Sequence, residues 1–327
     1  MSPRPLLTSA AIAAALLLPG CSALAEDPAD DGRVTVAAGF YPLAWVAEQV
    51  AGEHAEVVSL TRPGQEAHDA GMSIEKTADL AEADLVVLSE SLQPEVAASA
   101  RQNARGSLLE VADVVDLLPA AEHGHGDHDH DEDGHEEDWH DEDGHDEDGH
   151  EGHDHGDEDP HFWLDPLRMA DLGDAVADGL ADVDPEHATD YETAAARLRD
   201  ELTTLDGEYA AGLADCERST VVVSHDAFGY LARYGLTFEP IAGLSPDAEP
   251  TPADLQHLQE LIGTDGITTV FSETLGTSAL AESLARDAGV TTDTLDPVEG
   301  PAAAGEESDY LSLMRDNLAA LVRANGC

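Results

Sequence analysis

Val34-Thr-Val-Ala-Ala-Gly-Phe40, running on into Tyr41-Pro-Leu43, opens a pattern that recurs along the chain. The first residues are β-branched or small and predict a strand. Pro42 then stands where proline suits the first turn of a helix, and the apolar residues beyond it keep helical spacing through Val50. Glu56 to Leu60 predicts a second strand, Met72 to Ala81 a helix, Ala83 to Leu88 a buried strand and Gln93 to Ala104 another helix. Short apolar strands alternating with helices indicate the α/β class, with a parallel sheet covered on both faces. In such sheets ligands gather beyond the strand ends, which places His68, after the second strand, in a loop of interest.

The pattern repeats further on. Asp165-Pro166 supplies an N-cap and a first-turn proline for a helix to about Leu180. Tyr191, Ala194, Leu198, Leu202, Leu205, Tyr209 and Leu213 fall three or four apart and predict a helix from Pro185 to Ala214. At 1.5 Å per residue it is roughly 45 Å long, suited to a rigid strut between two lobes. Strands are predicted at Ser219 to Val223, Thr237 to Ile241, Ile267 to Phe271 and Val290 to Leu295. Helices are predicted at Ala227 to Tyr234, from Thr251-Pro252 to Ile262, at Ser278 to Ala288 and at Asp309 to Arg323. The expected organisation is an N-terminal α/β lobe over 34–184, a connecting helix over 185–214 and a C-terminal α/β lobe over 215–327.

Within the N-terminal lobe, before the helix that Asp165-Pro166 opens, lies a tract of another kind. From 121 to 160 it holds ten histidines (His123, His125, His128, His130, His135, His140, His145, His150, His153 and His155) and twenty acids, without one Lys or Arg. Seven of these histidines recur every fifth residue, about 140° apart on a helix, so no face collects them, and the interspersed glycines disfavour a helix further. Such a tract has too little apolar surface to bury and is expected to be a disordered loop. Neutral imidazoles among carboxylates are ligands for zinc, nickel, cobalt or copper, so the loop reads as a metal collector. A solubilising acidic linker is the plainer alternative.

The formal charge is −56, from 70 acids and 14 bases, of which only Lys76 is a lysine. Such a surface repels nucleic acid and anionic lipid, which excludes a nucleic-acid partner. It also fits a saline exterior, where salt screens self-repulsion. Arg4, the apolar run Leu6 to Leu18 and Leu18-Pro-Gly-Cys21 together read as a lipoprotein signal over 1–20. Cys21 would be the lipidated N-terminus, followed by a flexible lead over 21–33 and anchored to the outer face of the cell membrane. Cys216 and Cys327 are then a candidate disulfide of an oxidising compartment.

His68, His161, His225 and Asp296 each follow a predicted strand or border a lobe edge, two from each lobe. Three imidazoles and a carboxylate suit a four-coordinate zinc site. Taken singly each is ambiguous: His225 could bond a backbone carbonyl, and Asp296 could cap a turn before Pro297. Glu66, Asp226 and Glu273 are expected near enough to these ligands to accept from the imidazoles and orient them.

The segments Phe40-Tyr-Pro-Leu43, Pro63-Gly-Gln-Glu-Ala-His-Asp69, Ala83-Asp-Leu-Val86, Pro160-His-Phe-Trp-Leu-Asp-Pro166, Ser224-His-Asp-Ala-Phe-Gly-Tyr230, Tyr234-Gly-Leu236 and Thr294-Leu-Asp-Pro297 resemble the zinc-uptake receptors of bacterial ABC importers. More broadly, they resemble the zinc and manganese solute-binding lipoproteins of such importers. The resemblance implies two Rossmann-like parallel-sheet lobes joined by a long rigid helix, with one metal in the cleft between them. It implies that His68, His161 and His225 ligate Zn2+ and that Asp296 or a water completes the shell. His225 marks the zinc branch, since manganese binders tend to carry Glu there. The chain departs from the family's pattern at Ala67, usually Pro, and at Ala70-Gly-Met-Ser73. The expected function is capture of extracytoplasmic zinc by a monomer and its delivery to an ABC permease. A manganese receptor, or a metal buffer or adhesin without a transport role, are the alternatives. A zinc hydrolase is disfavoured, as no His-Glu-x-x-His helix is present.

Overall fold

The computed structural model describes residues 33–120, 158–246, 248–275, 278–300 and 308–327. The signal and Cys21, and the ten histidines of the acidic tract, lie outside the described residues.

The N-terminal elements follow the predicted order: β1 (Val34–Ala38), α1 (Tyr41–Ala51), β2 (Ala55–Ser59), α2 (Ile74–Glu82), β3 (Leu85–Leu88), α3 (Pro94–Asn103) and β4 (Ser107–Glu110). The strands form one parallel sheet in the order β2-β1-β3-β4. β4 was not predicted, because Ser107 and Leu108 at this sheet edge are exposed and lack the apolar signature. Side chains alternate across a strand, and the alternation sorts the core. Val36, Ala38, Leu85 and Val87 face α1 and the long helices, while Ala37, Val86 and Leu88 pack against Leu80 of α2 and Val96, Ala97 and Ala100 of α3.

A short antiparallel ribbon of β5 (Leu118–Pro119) and β6 (Glu158–Asp159) precedes α4 (Pro166–Val183). Asp165 caps α4 by accepting from the Leu167 N–H at 2.9 Å. α5 spans Ala188–Gly212 and buries Tyr191, Ala195, Leu198, Leu202, Leu205 and Tyr209, each leucine contributing about 1.5–3 kcal/mol. The predicted strut is thus shorter than its sequence span. It also does not act alone, because α4 and α5 pack along each other and link the two sheets together. α5 touches both α1 and α8 (Tyr310–Asn325).

The C-terminal elements are β7 (Thr220–Val223), β8 (Thr237–Pro240), α6 (Pro252–Asp265), β9 (Thr269–Ser272), α7 (Ala279–Ala288), β10 (Thr291–Thr294) and α8 (Tyr310–Asn325). Their sheet is also parallel, in the order β10-β9-β7-β8. The helix predicted at Ala227 to Tyr234 is a 3-10 turn over Gly229–Tyr234, ended by Gly235 in the left-handed region at φ 88°. Thr251 and Asp254 form the capping box of α6. Val222 packs outward against Leu258, Ile262 and Leu284, whereas Val221 and Val223 join the larger core. That core is continuous from α1 to α8, so both lobes share one interior. Cys216 and Cys327 are disulfide-bonded, tying the segment after α5 to the residue after α8.

Candidate metal centre

All strands of both sheets point their carboxyl ends toward the same region, and the loops leaving those ends carry the site. His68 lies beyond β2, His161 just after β6, His225 beyond β7 and Glu299 beyond β10. One ligand atom from each of these four residues lies within 4.8 Å of the other three.

The His68 loop is held from below. Gln93 donates through Nε2 to Thr61 Oγ1 and to the Ala67 carbonyl, both at 3.0 Å, and Thr61 donates to the Gly39 carbonyl at 2.8 Å. A β-carbon at Gly39 would lie 2.6 Å from Gln93 Oε1, so glycine leaves room for this clamp. Lys76, the chain's single lysine, donates to Gln65 Oε1 and the Gly71 carbonyl, each at 3.4 Å.

The imidazoles are aimed by carboxylates. Asp159 Oδ1 accepts from the His161 backbone N–H at 2.9 Å and from its Nδ1 at 2.8 Å. Glu273 Oε1 accepts from the His225 backbone N–H at 3.2 Å and from its Nδ1 at 2.6 Å. Both rings therefore turn Nε2 toward the centre. Sequence reasoning found Glu273 but missed Asp159, one acid among twenty in the tract. It offered Asp226 as a partner of His225; the residue is buried and its backbone N–H bonds the Gly243 carbonyl, while Glu273 takes the ring.

His68 Nε2 is 3.3 Å from His161 Nε2, and Glu299 Oε1 is 3.6, 3.9 and 3.8 Å from Nε2 of His68, His161 and His225. A zinc ion at about 2.0–2.1 Å from four tetrahedral ligands needs ligand–ligand edges of about 3.3–3.4 Å. These four Nε2 and Oε1 separations come within about half an ångström of that polyhedron, and all four ligand atoms lie within 4.8 Å of one another. It is also sealed, with His161 at 0 %, His225 at 1 % and Glu299 at 1 % exposure. Among the described residues His225 Nε2 has no hydrogen-bond partner, and the buried Glu299 carboxyl meets the Glu66 carboxyl and the Ala67 backbone. A buried polar atom left in this way is costly unless something binds it, and a cation at the centre would engage both His225 Nε2 and the Glu299 carboxylate.

The electrostatics agree. Burial, reinforced by repulsion from His225, lowers His68 to about 4. Burial also works against a proton on His225, but the hydrogen bond to Glu273 and the surrounding carboxylates prevail and raise it to about 9. Burial and the facing Glu299 carboxyl raise Glu66 to about 9, and burial raises Glu299 in turn. Without a cation, this pair must hold protons to coexist. Burial likewise lifts Asp159 to about 7, with the His161 backbone N–H opposing.

The expected fourth residue, Asp296, is not in the cluster. Its Oδ1 accepts from the Val298 N–H at 2.7 Å and its Oδ2 from the Thr274 hydroxyl at 2.5 Å, so it caps the turn whose last residue, Glu299, enters the site. Val298 in that turn has φ 59°, a left-handed conformation that costs a β-branched residue of order 1–3 kcal/mol. Nothing in the residue pattern signals such a backbone, which is why the acid three positions beyond Asp296 was passed over. Glu66, expected to orient a histidine, instead faces Glu299.

Comparison with known proteins places this geometry. The chain is 34% identical over 322 residues to the zinc-binding lipoprotein AdcA of Streptococcus pneumoniae R6, covering 94% of this chain and 58% of that protein. It thus spans little more than half the length of that relative. It is 30% identical over 297 residues to the high-affinity zinc uptake system protein ZnuA of Bacillus subtilis 168, covering 88% of this chain and 86% of the other. The Zn(II)-bound ZnuA-like domain of S. pneumoniae AdcA superposes with a TM-score of 0.69 at 30% identity, covering 90% of this chain and all of that domain. The laminin-binding protein Lmb of Streptococcus agalactiae gives a TM-score of 0.73 at 26% identity, over 89% of this chain and 99% of the other. The family described as zinc-uptake complex component A, periplasmic, matches residues 36–324, and the chain belongs to it.

Proposed function

We propose that the protein is an extracytoplasmic receptor that captures Zn2+ in the cleft and hands it to an ABC-type permease. His68, His161 and His225 bind through Nε2 and Glu299 through its carboxylate, while Asp159 and Glu273 hold two of the rings in register. The observation that carries the reading is the largely buried set of three imidazoles and one carboxylate whose ligand atoms lie within 4.8 Å of one another, with His225 Nε2 lacking a hydrogen-bond partner among the described residues.

The metal is cargo, and no bond of a substrate is made or broken. Glu299 occupies the fourth vertex, so the site lacks the open position that a catalytic zinc offers to water. Three imidazoles favour zinc over manganese by ligand type and by the general order of divalent affinities. The histidine-rich tract adds weak sites that raise the local metal concentration, and Cys21 supplies the membrane anchor.

The test has two arms. Competition against a chelator should show one tight zinc per chain that is lost in His225→Ala and that manganese does not displace at equal concentration. Zinc-limited cells lacking the protein should take up radioactive zinc slowly and recover with the wild type only. Uptake at the normal rate without the protein would refute the transport role.

A further inference from the structure

The turn from Asp296 to Glu299 adopts a conformation that its own residues resist. Val298 is fully buried and left-handed, at φ 59°. Five hydrogen bonds hold the turn there. Asp296 Oδ1 accepts from the Val298 N–H at 2.7 Å, and Oδ2 accepts from the hydroxyl of Thr274, the residue after the Glu273 that grips His225. Asn317, buried on α8, clasps the Asp296 backbone from both sides, accepting from its N–H at 2.8 Å and donating to its carbonyl at 2.6 Å. The Trp163 indole, two residues beyond His161, donates to the Pro297 carbonyl at 2.7 Å. Each neighbour of the turn thereby connects it to the segment carrying another ligand or to the shared core.

We propose that Asp296 and Asn317 are positioning residues for the fourth ligand. Their clasp keeps Val298 left-handed, and the left-handed Val298 sets the Glu299 carboxylate at the vertex facing the three imidazoles. The inference rests on Glu299 being a zinc ligand, as read above. Without the clasp Val298 relaxes toward negative φ, where a β-branched residue is at ease, and the next side chain swings off the vertex. The metal then keeps three imidazoles and takes a water. Asp296 therefore acts on the metal only through Glu299.

The experiment is a double-mutant cycle in the full chain, read by chelator competition for the tight zinc and by the visible spectrum of Co2+ added below one equivalent. Asp296→Ala and Asn317→Ala should each weaken zinc by about 10–100-fold, the usual cost of losing a group that orients a ligand. Each should also shift the Co2+ spectrum to that of Glu299→Gln. In the Glu299→Gln background, Asp296→Ala should cost less than about threefold, because the effects of coupled residues do not add. Val298→Gly should restore most of the affinity lost in Asp296→Ala, since glycine takes positive φ unaided. Asp296→Asn, which keeps an acceptor for the Val298 N–H, should retain the wild-type spectrum, and it remains informative if the alanine variant fails to fold. Equal losses from Asp296→Ala in both backgrounds, or a Glu299→Gln-like spectrum for Asp296→Asn, would overturn the positioning role. Zinc affinity unchanged in Glu299→Gln would instead remove the ligand assignment beneath it.

Discussion

Asp159 holds His161 by two hydrogen bonds from one carboxylate oxygen, 2.9 Å to the backbone N–H and 2.8 Å to Nδ1. Glu273 repeats this grip on His225 from the other sheet. The two imidazoles are thus oriented in the same way, each by one oxygen of an acid. Such an acid fixes the tautomer with Nε2 free for the metal and makes the ring a stronger donor.

Asp159→Ala should lower zinc affinity by about 10–100-fold while leaving the fold intact. Gly229→Ala should act in the same direction more weakly, because its β-carbon would stand 2.9 Å from Asp159 Oδ2 and press the carboxylate aside. Chelator competition on both variants measures the losses, and wild-type affinity in Asp159→Ala would show that the grip is dispensable.

The two ends of a tract deletion should behave differently. Removing 122–157 should abolish the weak zinc sites and leave the single tight one. Extending the deletion through Asp159 should weaken the tight site as well, since it takes away the acceptor of His161. Calorimetry on the two deletions separates the cases. Identical tight sites in both would place the orientation of His161 elsewhere.

Acid should compete with zinc well above the ordinary imidazole range. His225 and Glu66 each hold a proton below about 9 in the metal-free site, and burial raises Glu299 too. Zinc needs His225 Nε2 and the Glu299 carboxylate free of protons, so affinity is full above about 9 and falls as the pH drops. The slope should be about tenfold per pH unit for each proton displaced. His68, lowered to about 4, competes only below that value. Imidazoles titrating near their ordinary value would instead give a loss only through about pH 6. Calorimetry in buffers of different ionisation enthalpy should show at least one proton released per zinc at pH 7. An affinity constant from pH 9 to 7 would contradict the His225–Glu273 assignment.

Much of this was legible in the residues. Apolar strands such as Val34–Ala38 and Thr220–Val223 and proline helix starts at Pro42 and Pro252 marked the two sheets, and the structure brings His68, His161 and His225 together. The rest depended on facts that side-chain identity does not encode. Glu299 reaches the site through a left-handed valine, a backbone state with no pattern of its own. Asp159 was concealed by its acidic neighbours, and only the β5–β6 pairing separates it from them. β4 is an edge strand with exposed residues, so it lacked the apolar run that identified its neighbours.

The disulfide closes a long stretch of chain, Cys216 and Cys327 being 111 positions apart. Limiting the unfolded ensemble in this way should stabilise the protein by about 2–4 kcal/mol. Cys327→Ser should therefore lower the melting temperature while leaving zinc affinity within a few fold, because neither cysteine is among the clustered residues. An unchanged melting temperature would mean that α8 is fixed by packing alone.

The most direct measurement is crystal diffraction on the full chain with one equivalent of zinc, using anomalous scattering at the zinc edge. The account predicts a single strong peak bonded to Nε2 of His68, His161 and His225 and to a Glu299 carboxylate oxygen, each at about 2.0–2.1 Å. Asp296 should still be bonded to Val298 and Thr274. A peak ligated by Asp296 in place of Glu299, or no peak in the cleft at all, would contradict it.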